Sequence, residues 1–350
     1  ATTEIYTLWH TLSLHDAHPI WSGELVELVE SFGRQNIDKD KFEVLIVDDG
    51  STDDTEKIIN NFISKMNFQI RFFKRNHEGP GPARNYGMSK ARGEYFLFID
   101  SDCIADENWL NELEIAIEKE KPDAFGGPDG VLPNFTPLQK AIDYSMTSFL
   151  TTGGMRGHSK KKLAKYYPRS FNMGIHRKIY ETLGGMGTLR HGQDLEFSRR
   201  IVASDAKVIP VPDAKVYHKR RSSLKKFFRQ MFNWGVARIN LTMLDQGILE
   251  PLHFIPAIGA VGYSLLTILS LFFSIFFKLW LAGTGLAVLL LLFIIFDSFN
   301  KYKDFKAALL SPIVAVYQVF AYGYGFTINF IRRKIFGKGE YVGFVKKYYK

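Results

Sequence analysis

Two carboxylates two residues apart, Asp100 and Asp102, close the apolar run Tyr95-Phe-Leu-Phe-Ile99. At the exit of a buried strand such a pair can face one cation from the same side. Hard oxygen donors of this kind suit Mg2+ or Mn2+ bridging a diphosphate, with water and phosphate completing the shell. Taken alone, Asp100-Ser101-Asp102 also fits a solvated turn. A second apolar run, Glu43-Val-Leu-Ile-Val47, ends in Asp48-Asp49-Gly50-Ser51, where Asp49 fits a ligand contact or a cap for the helix behind it. Asp194 opens a segment that continues with helical spacing through Leu195, Phe197 and Ile201. That position suits a general base, or a carboxylate attracted to the positive end of a helix. Arg84 suits a phosphate or solvent, His218 a metal or a strand end, and the single cysteine, Cys103, a small buried filler.

The elements that must position these residues alternate regularly. Glu43–Val47, Gln69–Phe73 and Tyr95–Ile99 read as strands; Asp53–Met66, Gly81–Arg92 and Trp109–Ile117 carry helical spacing. Strand and helix in this rhythm predict an α/β domain with a largely parallel sheet. Ligands of such sheets bind beyond the carboxyl ends of the strands, where the acidic clusters fall.

In this order and spacing the segments Val47–Asp53, Gly81–Gly87, Arg92–Asp102, Gly126–Pro128 and Gly192–Arg200 resemble the inverting family 2 glycosyltransferases of the GT-A fold. The resemblance runs from about Pro19 to Trp234. It implies a nucleotide-sugar-binding domain, a Rossmann-like mixed sheet flanked by helices, followed here by C-terminal transmembrane helices. It further implies that Asp49 recognises the nucleotide base, that Arg84 and Asn85 help hold the donor, and that Asp100 lies near ribose and metal. Asp102 matches the metal ligand, His218 a histidine that reaches metal or diphosphate, and Asp194 the base that deprotonates the acceptor hydroxyl. The implied cofactor is Mg2+ or Mn2+, and the implied donor a nucleotide-diphosphate sugar, UDP-sugar being the expected form.

Three departures stand out. Gln193 occupies a position where relatives carry Glu. Gln230-Met-Phe-Asn-Trp234 resembles the Q-x-x-R-W of processive synthases with Asn233 for Arg, which removes a bidentate phosphate partner and favours one sugar per visit. The segment Ser13–His18 is too polar for the buried first strand of the family, so residues 1–18 are expected to be a foreign leader.

Charge is divided unevenly. Residues 1–213 hold 26 Lys and Arg against 31 Asp and Glu, whereas residues 214–350 hold 19 against 5. This excludes a uniformly basic nucleic-acid binder. Residues 254–277, 279–296 and 307–331 contain no charge, and each is near the ~20 residues that cross a hydrocarbon core. Lys278 and Trp280 are expected at the turn of a tight hairpin. Ahead of them, residues 214–250 are expected to form a basic amphipathic region, with Leu224, Phe227, Phe228, Met231 and Phe232 at helical spacing among lysines and arginines that favour anionic lipid. The third run holds Pro312, Gln318 and Asn329 and fits a re-entrant or protein-packed helix as well as a span. Three crossings would place the basic end opposite Lys301, Lys303 and Lys306, against the positive-inside tendency.

The expected organisation is a leader (1–18), a GT-A domain (19–213), the basic region (214–250), a membrane region (251–331) and a basic tail (332–350). The loop residues Thr151–Arg156 and Lys160–Lys162, with Arg169–Gly174, look most like the succinoglycan-type exopolysaccharide branch. The expected protein is a glycosyltransferase of the inner membrane with its catalytic domain in the cytoplasm. It passes one sugar to a lipid-linked or envelope glycan acceptor, with membrane lipids and no nucleic acid as partners. Two alternatives remain open: a polyprenyl-phosphate sugar transferase, which needs no strong base, and a membrane-tethered nucleotide-sugar binding protein without catalysis.

Overall fold

The computed structural model describes residues 6–12, 21–51, 55–152, 166–189, 191–244, 247 and 249–345. Ser13–His18, Asp53, the basic stretch 153–165 and the last lysines (Lys346, Lys347 and Lys350) lie outside the described residues. In chain order the elements are β1 (Tyr6–Leu12), α1 (Trp21–Gly33), β2 (Phe42–Asp48), α2 (Thr55–Ile63), β3 (Gln69–Lys74) and α3 (Pro80–Lys90). There follow β4 (Tyr95–Asp100), β5 (Cys103–Ala105), α4 (Trp109–Glu120), β6 (Ala124–Gly126), β7 (Asp129–Gly130), α5 (Pro137–Thr147) and α6 (Phe149–Thr152). Next come β8 (Met173–His176), α7 (Arg177–Leu183), α8 (Gln193–Ala203), β9 (Val208–Pro210) and β10 (Val216–His218). The chain ends with α9 (Leu224–Thr242), α10 (Ile255–Ser270), α11 (Ser274–Tyr302) and α12 (Phe305–Phe330).

The chain forms two compact units, Ala1–Leu132 with Ala164–Lys219, and Pro133–Leu163 with Arg220–Lys350. The first holds a seven-stranded mixed sheet ordered β3-β2-β1-β4-β8-β6-β9 and a small sheet β5-β10-β7. All seven residues of β2 are buried, as expected of a strand covered on both faces. Alternate residues serve opposite cores. Phe42, Val44 and Ile46 pack with Leu28, Phe32 and Trp109, while Leu45 and Val47 pack with Ala83, Met88 and Phe197. Strand β1 runs parallel between β2 and β4, Leu8 opposite both Val44 and Leu97. Tyr6–Leu12, assigned to a foreign leader on sequence, thus forms an interior strand of the sheet, between β2 and β4. The division at residue 213 also differs: β10 pairs with β5 and belongs to the first unit, and Pro133–Leu163 belongs to the second.

The second unit is helical. Helix α5 opens with a reciprocal capping box between Thr136 and Gln139. The stripe predicted on α9 exists, but it faces protein: Phe227, Met231, Phe232 and Val236 are buried with Ala141, Ile142, Val314 and Ala321. Lys225, Lys226 and Arg229 stay exposed. Helices α9 and α12 approach backbone to backbone at Gly235 and Gly325, where a Cβ would collide with the carbonyls of Tyr322 and Phe232. Absence of charge marks the apolar runs but not their ends. The chain breaks at Leu271–Phe273, so Lys278 lies inside α11 and Trp280 donates from there to Thr267 Oγ1 at 3.1 Å. Three helical stretches, Pro251–Ser270, Ser274–Tyr302 and Phe305–Ile335, are long and apolar enough to cross a membrane.

Candidate active site

Strands β2 and β4 deliver their acidic ends to the same edge of the sheet, and α3 and α8 bring the remaining groups. Helix α3 starts at Gly79 (φ +98°), with Pro80 in its first turn. From its second turn the nearly buried Arg84 donates from one terminal nitrogen to Asp100 Oδ1 at 2.9 Å. Its other terminal nitrogen is buried with no hydrogen-bond partner among the described residues. Burial pushes the Asp100 carboxyl up, and Arg84 opposes this.

Asp194 sits in the first turn of α8, behind Gly192 in the left-handed region (φ +84°). Arg169 Nε donates to its Oδ2 at 2.8 Å and the Ser170 amide at 3.4 Å. Burial raises this carboxyl, but Arg169 and the nearby Arg84 outweigh it and hold Asp194 down at about 2. The Ser170 hydroxyl reaches Asp100 Oδ1 at 3.5 Å. Ser170 and Arg84 thereby connect the end of β4 to the start of α8, and the two carboxylates occupy one electrostatic cluster.

Asp102 Oδ1 lies 3.1 Å from His218 Nε2, because antiparallel β5 and β10 place His218 opposite Cys103. Adjacent ligand atoms of an octahedral Mg2+ or Mn2+ shell stand about 3 Å apart, so the pair fits one edge of such a shell. Behind the imidazole, Asp129 Oδ2 is 3.9 Å from Nδ1 and adds negative charge next to the ring. Cys103 Sγ lies within 4.8 Å of both donor atoms. Its thiol is fully buried in the core and pushed well up by burial and the surrounding carboxylates, which keeps it neutral. Asp102 supplies a hard oxygen donor of the kind that suits Mg2+ or Mn2+, and His218 an imidazole nitrogen beside it.

Two predicted residues are committed to backbone. Asp49 accepts from the amides of Glu78 (2.9 Å) and Gly79 (2.8 Å), with His77 Nδ1 3.0 Å away, and so fixes the loop that launches α3. Burial raises its carboxyl while the two amides offset part of the rise. Asn85 engages Met186 twice, accepting from its amide and donating to its carbonyl, both at 2.8 Å. The segment before α8 is thereby tied to α3.

Sequence reasoning gave no role to Asp48, Ser170 or Asp129. Asp48 Oδ1 accepts from the Ser51 amide at 2.9 Å and from its hydroxyl, while Oδ2 is buried with no hydrogen-bond partner among the described residues. Asp48 and Asp129 stand beside motif residues in Val47–Asp53 and Gly126–Pro128, which was the available signal. Arg169 and Ser170 lie in Arg169–Gly174, a segment noted on sequence only for its likeness to the succinoglycan-type branch. Gln193 Oε1 is likewise buried without a partner among the described residues.

Residues 22–184 match the family model described as glycosyl transferase family 2. Over 109 residues the chain is 35% identical to the poly(ribitol-phosphate) beta-N-acetylglucosaminyltransferase TarS of Staphylococcus aureus, covering 31% of this chain and 19% of that protein. The chain thus spans about a fifth of that relative. It is 25% identical over 224 residues to a dolichyl N-acetyl-alpha-D-glucosaminyl phosphate 3-beta-D-2,3-diacetamido-2,3-dideoxy-beta-D-glucuronosyltransferase of Methanococcus voltae, covering 61% of this chain and 68% of that one. Among solved structures, a mannosyltransferase from Pyrobaculum calidifontis in complex with GDP-Man and Mn2+ superposes with a TM-score of 0.61 at 16% identity, covering 89% of this chain and 86% of that one. That likeness establishes the GT-A fold.

Proposed function

Residues 22–184 form a family 2 glycosyltransferase domain, and from that premise we propose that the protein is a membrane-anchored inverting glycosyltransferase. It transfers one sugar from a nucleotide-diphosphate donor to a hydroxyl of a lipid-linked or envelope glycan. One observation carries the reading: Asp194, Arg84, Asp100 and the Asp102–His218 pair are held about a single acidic strand end, with Ser170 hydrogen-bonded to both Asp194 and Asp100. The names of the similar proteins support the acceptor class, since one acts on poly(ribitol-phosphate) and another on a dolichyl-phosphate-linked sugar.

In this reading the acceptor oxygen attacks the anomeric carbon, the bond to the diphosphate breaks, and the hydroxyl proton passes to Asp194. The unpartnered nitrogen of Arg84 is assigned to the developing negative charge of the leaving diphosphate, since it is a buried cationic donor with no other partner among the described residues. Asp102 and His218 would hold the divalent cation, which when bound neutralises charge on the diphosphate. Asp49 and Asn85 act by fixing the two loops that frame the donor.

The membrane part is read as a crossing hairpin, α10–α11, with α12 lying along the surface beside α9, and with the transferase domain on the cytoplasmic side. The flanking Lys301, Lys303 and Lys306 support that orientation.

The test uses the full chain in detergent with Mn2+ and a panel of UDP- and GDP-sugars, following nucleoside diphosphate release and product mass. Asp194→Asn is expected to lower kcat by roughly 10²–10⁴-fold while calorimetric donor affinity stays within about twofold. Turnover unchanged in that variant rejects the base; donor binding without product for any acceptor rejects catalysis.

A further inference from the structure

The second unit carries an open surface groove of about 480 Å3 between the end of α5, α6 and the last turns of α11. Its place along α11 is informative. The charge-free stretch of α11 ends at Phe296, and Asp297, Asn300 and Lys301 follow within two turns. From Lys278 to Asp297 the intervening residues rise about 27 Å, close to a hydrocarbon thickness. The groove therefore lies at headgroup depth. Phe293, Phe149 and Leu150 form its apolar wall and stand substantially exposed.

The polar wall is unusual in its charges. Asp297 and Lys301 are four residues apart on one helix, a spacing at which carboxylate and ammonium ordinarily meet. Here each is held by another group. The fully buried Tyr144 donates to Asp297 Oδ2 at 2.6 Å. Lys301 Nζ bonds Thr147 Oγ1 at 2.8 Å and Asp143 Oδ2 at 3.3 Å. Asp143 is itself locked by Arg220, at 3.0 and 2.6 Å, and by Tyr302. Among the described residues no ion pair joins Asp297 to Lys301, so a negative and a positive group are kept apart on the rim of one groove. An ammonium has three donors, and Lys301 uses two of them on these partners.

We infer that this groove is a binding site for a zwitterionic amino-phospholipid, its primary ammonium on Asp297, its phosphate on Lys301 and its acyl chains along Phe293. A purely anionic head meets the Asp297 carboxylate. A trimethylammonium head has no N–H to donate to Asp297, which separates ethanolamine from choline lipids. The site is independent of the sugar-transfer reading and needs only α11 in a bilayer.

The test equilibrates the detergent-purified full chain with equal dioleoyl-phosphatidylethanolamine, -phosphatidylcholine and -phosphatidylglycerol and counts retained lipid by native mass spectrometry. The ethanolamine lipid is expected in at least about tenfold excess over each of the others, the worth of one charge-assisted hydrogen bond. Asp297→Asn keeps an acceptor for Tyr144 but removes the charge, and is expected to erase that preference; Lys301→Gln lowers retention of all three alike. Equal retention by the native chain overturns the site, as does an undiminished preference in Asp297→Asn. A measurement needing no variant is displacement of a fluorescent short-chain ethanolamine lipid by soluble phosphoethanolamine and by phosphocholine. Phosphoethanolamine is expected to be the better competitor by about tenfold, and equal competition also overturns the assignment.

Discussion

A carboxylate that titrates at about 2 is an unpromising proton acceptor in isolation, and the cause here is Arg169. The guanidinium keeps Asp194 ionised far below neutral pH, at the cost of basicity. Because its folded pKa is depressed, the stabilisation is fully present above the unfolded value of 3.8 and is lost as pH falls toward 2. Its size is about 2 kcal/mol by linkage. The catalytic consequence is that the native kcat/KM profile gains no acid limb from Asp194 between pH 4.5 and 8. In Arg169→Gln the largest group opposing burial is gone and the carboxyl rises, so an acid limb is expected to enter that range, measurable as a tenfold fall per pH unit below it. A profile identical to the native one would show that Arg84 and the Ser170 amide suffice. Asp100, Asp102 and Asp194 were legible because strand ends and a helix start announce them. That Asp49 and Asn85 engage backbone was not, since partners 29 and 101 residues away exist only once α3 is docked.

At the level of elements, the alternation of buried strands and amphipathic helices was readable because β2 and β4 are almost uninterrupted apolar runs. Strand β1 was not, for the same reason in reverse: Thr7, His10 and Thr11 interrupt Tyr6–Leu12, whereas central parallel strands usually read as continuous Val, Ile and Leu. Yet the register with β2 and β4 extends over six or seven residues on each side. Removing residues 1–12 should therefore cut the seven-stranded sheet between β2 and β4. The expected outcome is loss of the cooperative thermal transition of the first unit, followed by circular dichroism, along with loss of calorimetric donor binding. A truncated chain that melts like the intact one would restore the view of this segment as a dispensable leader.

For the whole molecule, the question is how the three apolar helices meet a bilayer. Hydropathy counted three equal candidates; packing distinguishes them. Most of α10 and α11 is open to the surroundings, whereas α12 is far more buried, against α5, α9 and α10. The Phe228 ring meets Tyr317, near the middle of α12, at 6.2 Å, and Lys225, Lys226 and Arg229 lie on the same turns of α9. Were α12 to cross, those cations would sit near mid-bilayer, each costing ~2.5–3.5 kcal/mol. With α12 along the surface they reach headgroups, and Arg332–Lys338 falls on the same side as Lys301–Lys306, which removes the conflict with the positive-inside tendency. Cysteine labelling tests this cleanly, because native Cys103 is fully buried. In sealed vesicles of known sidedness, an impermeant maleimide should modify Lys303→Cys and Lys338→Cys from one face, and Phe272→Cys, in the break between α10 and α11, only from the other. Labelling of Lys338→Cys together with Phe272→Cys would mean that α12 crosses, and that charged α9 is drawn into the bilayer with it.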